Sequence, residues 1–242
     1  MPDRSDDASL RSSSAEPSWK LFDRIAHRYD PLNRLLSFGT DQSWRKRLTR
    51  YLPDGPVHIL DMATGTGDQL LMLAAHRQNL TGVGIDPSRE MLALAPAKAE
   101  KAGLQGRVSF MPGAAESIPF PDGSFDAATI SFGIRNVADL RGSLREMTRV
   151  LRSNGRLIIL EFSLPSNSLI RASYLLYFRH VLPRLGGLIS GDPQAYRYLN
   201  KTVETFPYGD AFASIMRETG LEQVSATPLT FGIATIYCGV KS

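Results

Sequence analysis

Residues 59–70, ILDMATGTGDQL, set two glycines one residue apart behind an apolar run that ends on Asp61. A loop of this kind brings backbone N–H groups close to a bound nucleotide. Its details select among nucleotides. No Gly-Lys-Ser/Thr follows, which excludes a triphosphate-binding P-loop. A dinucleotide fingerprint built on Gly65 and Gly67 needs Gly or Ala at position 70, where this chain has Leu70. Asp68 opens the following helix, where a pyrophosphate would need positive potential. The loop therefore suits a nucleoside cofactor that lacks phosphate and carries cationic groups. S-adenosylmethionine, with its ammonium and sulfonium, meets that description. Gly65 and Gly67 would allow close backbone approach, and Asp61 and Asp68 would attract the ammonium end. Asp86 ends the next strand, where a carboxylate can accept from both ribose hydroxyls. Ala114 and Ala115 would set backbone groups against the adenine.

These residues need a frame, and the chain supplies an alternating one. Strands are expected at VHILD, TGVGID (81–86), RVSFMP (107–112), FDAATISF (125–132) and RLIILEF (156–162), with helices between them. One helix covers 88–102. Another carries Leu140, Leu144, Met147 and Leu151 on one stripe and ends at SNG (153–155). Near-continuous apolar strands alternating with helices imply a parallel sheet covered on both faces. LEQVSATPL and GIATIYCGV would add a terminal hairpin as an antiparallel edge. Ahead of the sheet, Phe22, Ile25 and Tyr29 mark a helix that Pro31 should stop. A second helix shows Trp44, Leu48, Tyr51 and Leu52 on one face, with Arg45, Lys46, Arg47 and Arg50 mostly elsewhere. The stretch 163–210 breaks the alternation and is expected to be an inserted helical lid. Within it Ile170, Tyr174, Tyr177, Phe178 and Val181 share one helical face.

Composition bounds the function. The 242 residues carry a net charge of +4 and a single cysteine, Cys238. An intrachain disulfide and a cysteine-cluster zinc site are therefore excluded, and the four histidines show no metal-ligand spacing. Residues 1–17 are polar, with no apolar h-region, and are expected to be a disordered tail rather than a secretory signal. No apolar stretch is long enough to span a bilayer. The basic residues are scattered, without the stripe of interleaved aromatics that a nucleic-acid surface uses, so no nucleic-acid partner is expected.

The chain resembles the ubiquinone/menaquinone biosynthesis C-methyltransferase family from about Phe22 to Lys241. The resemblance is carried by LFDRIAHRYDPLNRLLSFGTDQSWR, AESIPFPDGSFDAATISFGIRNV, LEFSLP and HVLPRLGGLISGDPQAYRYL. The stretch ISFGIRNV is the most specific. The resemblance implies an α/β class I SAM-dependent methyltransferase fold: a Rossmann-like seven-stranded sheet with an N-terminal helical cap over 18–53 and the lid inserted at 163–210, all in one domain, 18–242. It implies cofactor contacts at Thr66, Asp86, the Ala114–Ala115 pair and Ser131. Two departures stand out. The chain reads Ala63-Thr64 where the family often has a fuller glycine run, and Ala114 where it often has Asn or Asp. Loss of that side chain leaves the adenine amine to backbone contact.

The implied reaction is C-methylation of a prenylated quinol, with demethylmenaquinol to menaquinol as the leading expectation. A dual-specificity enzyme that also acts on 2-polyprenyl-6-methoxy-1,4-benzoquinol is the alternative, and an RNA methyltransferase is open to the fold alone. Ring carbon is a poor nucleophile until a hydroxyl proton is removed, so a phenolate must be stabilised. Arg135 and Asn136 fall just past the fourth strand, where such sheets bind ligands. Arg135 would pair with the phenolate or orient a water; alternatively it anchors its loop by a salt bridge. Tyr29 would lie over the cofactor from the cap, or pack in the core. His180 is a proton acceptor or a helix-end group. The aromatic lid face is buried core, or lines a groove for a prenyl tail with Arg171, Arg179 and Arg184 meeting lipid phosphates. A cytoplasmic protein, peripheral on the inner face of the membrane and homodimeric, is the corresponding expectation.

Overall fold

The computed structural model describes residues 18–184 and 193–242. The expected tail, 1–17, and the lid stretch 185–192 lie outside the described residues. In chain order the helices are α1 (Ser18–Leu36), α2 (Thr40–Arg47), α3 (Asp68–His76), α4 (Arg89–Lys101), α5 (Leu140–Arg149), α6 (Ser168–Leu176), α7 (Pro193–Thr205) and α8 (Asp210–Glu218). The strands are β1 (Val57–Met62), β2 (Leu80–Asp86), β3 (Val108–Pro112), β4 (Phe125–Ser131), β5 (Leu151–Phe162), β6 (Leu221–Leu229) and β7 (Ala234–Lys241). They form one sheet in the order β3-β2-β1-β4-β5-β7-β6. The first five strands are parallel, and β7 runs antiparallel to both β5 and β6.

Side chains alternate across a strand, so one apolar run serves two cores. Ile59 and Ile158 join a cluster with Leu70, Leu73 and Ala99 from α3 and α4. Their neighbours Leu60 and Ile159 join another with Leu144 and Met147 of α5 and Phe212 and Met216 of α8. Both faces of the sheet are thus covered, as the strand composition requires. A third cluster, Ile25, Leu32, Phe178, Leu182 and Val203, packs the N-terminal cap against the lid.

Several boundaries differ from the sequence expectation. Pro31 does not stop α1, which runs through it to Leu36. An internal proline costs a helix about 3 kcal/mol, but here Leu32 immediately after it is buried against the lid, and that burial holds the helix together. The SNG stretch does not end α5. The helix closes at Arg149, and Leu151 already pairs with Phe125, so 153–155 lie inside β5 beside a register irregularity. Asn154 takes a left-handed φ of 64° there. Arg45, expected off the buried face of α2, is itself buried at 7% exposure. The lid face is broken at 177–181 by a turn of π-helix. The wider turn shifts the register, so Phe178 is buried while Val181 stays exposed.

Candidate active site

The chain reverses its winding between β1 and β4, which opens a crevice at their carboxyl ends. Two left-handed non-glycine residues stand there, Ala63 (φ 47°) after β1 and Phe132 (φ 59°) after β4. Conformations of this kind cost about 1–3 kcal/mol and persist where surrounding packing imposes them. Gly133 is imposed by the same crowding, since a Cβ there would meet Ala63 Cβ at 2.5 Å.

A cavity of about 480 Å³ fills the crevice, lined by Asp61, Gly65, Thr66, Asp86, Ala114, Ala115, Ser131 and Asn136, among others. Asp86 is held by backbone: Gly65 N donates to Oδ2 and Ser88 N to Oδ1, each at 2.8 Å. Each oxygen keeps a lone pair for a further donor. Asp61 is fully buried and accepts from Thr64 Oγ1 at 2.6 Å and Thr129 Oγ1 at 2.5 Å. Burial pushes both carboxyls up to about 6, against the hydrogen bonds that pull them down. Asp30, Asp68 and Glu116 also line the cavity, and among its described lining residues Arg45 is the one Lys or Arg. An acidic, backbone-rich cleft that carries paired acceptors at Asp86 fits a cationic nucleoside cofactor, S-adenosylmethionine.

Helix α1 closes this cavity from above. Ser88 Oγ donates to Asp23 in a short contact. Thr66 Oγ1 donates to both oxygens of Asp30, at 2.8 and 2.9 Å, and Lys98 Nζ donates to Asp30 at 2.7 Å. Asp68, expected to favour the ammonium, pairs instead with Lys98 and lies 3.6 Å from Arg34. Gly67 does not line the cavity. Its φ of 84° opens α3, and a Cβ there would meet Phe110 at 2.9 Å, so its role is close packing beneath the loop.

Beside it lies a second cavity of about 260 Å³, enclosed mainly by apolar and aromatic side chains of α1, α2, β5 and the lid. Phe22, Tyr29, Arg45, Phe132 and Tyr198 line both spaces and form the wall between them. Burial raises the Tyr29 phenol, which keeps it a neutral donor. Arg135 lines the apolar cavity. Its Nη1 donates to Glu161 Oε1 at 2.6 Å and to Phe132 O at 2.7 Å, and the guanidinium stands 5.4 Å over the Phe162 ring. The salt-bridge alternative for Arg135 is therefore realised, with a buried partner on β5 and with the side chain still facing the cavity.

The structure brings Tyr29, Arg135, Asn136 and all the expected cofactor residues except Gly67 to these two cavities. His180 is exposed and lines neither. Arg179 pairs with Glu204, Arg171 donates to Tyr208, and Arg184 donates to the backbone of His180, so these three groups are engaged within the protein. Sequence reasoning missed Asp30, Arg45, Gln69 and Glu161. Gln69 accepts from Ser131 Oγ at 2.9 Å and donates to Arg45 O at 3.3 Å, tying β4, α3 and α2 together. Its place in the first turn of the glycine-loop helix was the available signal. Asp30 had the signal of its neighbour Tyr29. Glu161 sits inside an apolar strand, where a lone carboxylate calls for a partner.

The model of the ubiE/COQ5 methyltransferase family matches residues 11–241. A ubiquinone/menaquinone biosynthesis C-methyltransferase UbiE of Syntrophotalea carbinolica is 49% identical over 223 residues, 92% of this chain and 93% of that one. A demethylmenaquinone methyltransferase of Thermus thermophilus is 49% identical over 220 residues, 90% and 99% of the two chains. Among solved structures, a phosphoethanolamine N-methyltransferase 2 of Haemonchus contortus in complex with S-adenosyl-L-methionine gives a TM-score of 0.68 at 14% identity, over 94% of this chain and 60% of that one. A SAM-dependent methyltransferase of Thermotoga maritima gives 0.64 at 20% identity, over 93% and 100%. At these identities the structures speak to the fold, a class I methyltransferase sheet.

Proposed function

The chain belongs to the ubiE/COQ5 methyltransferase family, and from that premise we propose that this SAM-dependent C-methyltransferase of quinone biosynthesis acts on demethylmenaquinol and yields menaquinol. The observation that carries the reading is the pair of cavities with a common wall: one polar and acidic at the glycine loop, the other apolar and aromatic. Transfer across that wall needs a flat apolar acceptor, and a quinol ring with a prenyl tail has that character.

Asp86, Asp61, Gly65, Thr66, Ser131 and the backbone at Ala114 and Ala115 are the groups assigned to the cofactor. Held there, S-adenosylmethionine would supply an electrophilic methyl to the ring carbon, one C–C bond replacing one S–C and one C–H bond, with S-adenosylhomocysteine as leaving group and the ring proton passing to solvent. The chain's own contribution is orientation and charge. Asp86 holds two acceptor oxygens in place for the ribose. Tyr29, from the cap, is a neutral hydroxyl donor on the wall. Arg135 and Asn136 place a guanidinium and an amide at the end of β4, where they favour the phenolate over the phenol. The aromatic walls exclude water, which strengthens each of these interactions.

The tail's route follows from the surface. Phe38 lines the apolar cavity yet is 80% exposed, and Leu176 and Phe231, also exposed, adjoin the lining residues Tyr177 and Thr230. Large exposed apolar side chains at a cavity mouth mark an interaction surface. We assign it to the bilayer that holds the prenyl tail. Among the described residues no helix is long and apolar enough to cross a membrane, so the contact is peripheral.

The test is direct methylation. Purified protein, S-adenosylmethionine and chemically reduced demethylmenaquinone should give menaquinol, read by mass spectrometry as menaquinone after air oxidation of the extract. The benzoquinol precursor of ubiquinone, offered in competition, reports dual specificity. Methylation of the benzoquinol alone, or of RNA and neither quinol, would overturn the assignment.

A further inference from the structure

Arg45 is an unusual resident of the wall. Its side chain is buried, and its Nε makes no hydrogen bond among the described residues. The nearest carboxylate oxygen, Asp41 Oδ2, lies 3.8 Å away, beyond hydrogen-bond reach. Asp41 already accepts from Ser37 Oγ at 2.8 Å and Gln42 Nε2 at 3.0 Å. The guanidinium carbon also stands 5.2 Å from the centroid of the Phe132 ring. A buried cation is costly unless paired and hydrogen-bonded. The contrast with Arg135 is informative. That guanidinium is matched at 2.6 Å by Glu161, so its charge is neutralised within the protein. Arg45 has only the longer ion pair with buried Asp41, at 3.8 Å, although Nε of Arg135 is likewise without a hydrogen bond among the described residues.

Location adds the second argument. Arg45 lines both cavities, whereas Arg135 lines only the apolar one. Methyl transfer brings the reacting ring carbon to the wall. In a quinol the activated carbon is ortho to a hydroxyl, so that oxygen must reach the wall together with the carbon. Phe22, Tyr29, Arg45, Phe132 and Tyr198 form the wall, and Arg45 is its cation. The charged and titratable groups that interact with it are Asp41 from its own helix, Tyr29 from α1 and Asp61 from β1, and Arg135 lines the same apolar cavity.

We propose that Arg45 is a catalytic residue which binds the substrate's phenolate oxygen ortho to the methylated carbon, with Nε supplying the hydrogen bond. The inference rests on the quinol reading given above. The phenolate oxygen brings Nε the hydrogen-bond acceptor it lacks, and the guanidinium fork meets it with planar donors. Arg135, beside its part in favouring the phenolate, fixes Phe132 through its carbonyl.

The test compares wild type with Arg45→Gln and Arg45→Lys. S-adenosylmethionine affinity is measured by calorimetry, turnover by single-turnover methylation of demethylmenaquinol across pH, and anion stabilisation by the ultraviolet absorption of bound 1-naphthol, whose neutral and ionised ground states absorb differently. Expected for Arg45→Gln is a turnover loss of about a hundredfold, retained cofactor affinity, a rate profile displaced to higher pH and weaker ionisation of bound naphthol. Arg45→Lys should recover part of each, because it restores charge without the fork. A folded Arg45→Gln protein with wild-type turnover and naphthol ionisation would overturn the proposal. If that variant does not fold, wild-type behaviour of Arg45→Lys in both readouts overturns it. Should wild type fail to methylate demethylmenaquinol, the function assignment fails, and the naphthol ionisation still decides whether Arg45 binds an aryl oxyanion.

Discussion

Arg135, in the loop after β4, donates from Nη1 to Glu161 Oε1 on β5 at 2.6 Å, with both side chains almost wholly inside the protein. Two loads rest on this contact. It neutralises a carboxylate that burial pushes up, and it anchors the cavity wall. Arg135→Ala should therefore lower stability by about 3–5 kcal/mol, the cost of leaving one buried charge alone, besides slowing methylation. Pairing Arg135→Met with Glu161→Gln removes both charges and should restore much of the stability. Thermal unfolding of the two proteins separates the loads. If the double variant regains full turnover as well, the guanidinium has no part in the chemistry.

Asp86 and Asp61 give the site a pH dependence with a definite sign. Both carboxyls rise from 3.8 to about 6 through burial. Their contribution to the stability of the ligand-free protein is full below the ordinary carboxylate value and is lost as pH rises through about 6. A bound ammonium beside Asp61 and ribose hydroxyls donating to Asp86 reverse the preference and favour the ionised forms. The rise in Tm on adding S-adenosylmethionine should accordingly grow between about pH 4 and about pH 6 and level off above it, and binding should release protons in that window. Asp86→Ala should weaken binding at least about tenfold, since hydrogen bonds to a charged acceptor contribute roughly 1.5–3 kcal/mol each. Calorimetry in buffers of differing ionisation enthalpy measures both effects; pH-independent affinity would remove the two carboxyls from the cofactor site.

Asp30 binds the cap to the cofactor loop through Thr66 and Lys98. Asp30→Ala should loosen α1 over the polar cavity and speed cofactor dissociation by about tenfold, the size expected for one charge-assisted bond. Stopped-flow displacement reads the rate. An unchanged rate would show that the cofactor leaves by another route.

Phe38 lines the apolar cavity, Phe231 follows its lining residue Thr230, and both are largely exposed. Replacing both with serine should lower association with vesicles, since burying each phenyl group contributes about 1.5–3 kcal/mol. Sedimentation with liposomes measures it, with methylation of a short-tailed quinol as the control that the site is intact. Equal sedimentation of both proteins would place membrane contact elsewhere or nowhere.

The alternation of apolar strands with helices was legible because a strand buried on both faces is apolar through its buried run, as Leu157, Ile158, Ile159 and Leu160 of β5 are. The places of Asp61 and Asp86 at one cavity were legible for a related reason: the loops at the carboxyl ends of consecutive parallel strands converge, so local position along the chain fixes place in space, whereas Thr66 and Ser131 were named only through the family resemblance. Pro31 was misleading, because its local cost is outweighed by the burial of Leu32 against lid residues far away in sequence.

By itself, then, the sequence determined the sheet, its crevice and the chemistry of the cofactor that fits there, since these follow from local patterns repeated along the chain. Tertiary structure alone decided which charges are spent and which remain. Arg135 meets Glu161 across two strands, Lys98 meets Asp30 across two helices, and Arg45, one of four basic residues in a short stretch, is the one turned inward. Charge pairing depends on distances between elements remote in sequence, and no spacing within one element encodes them.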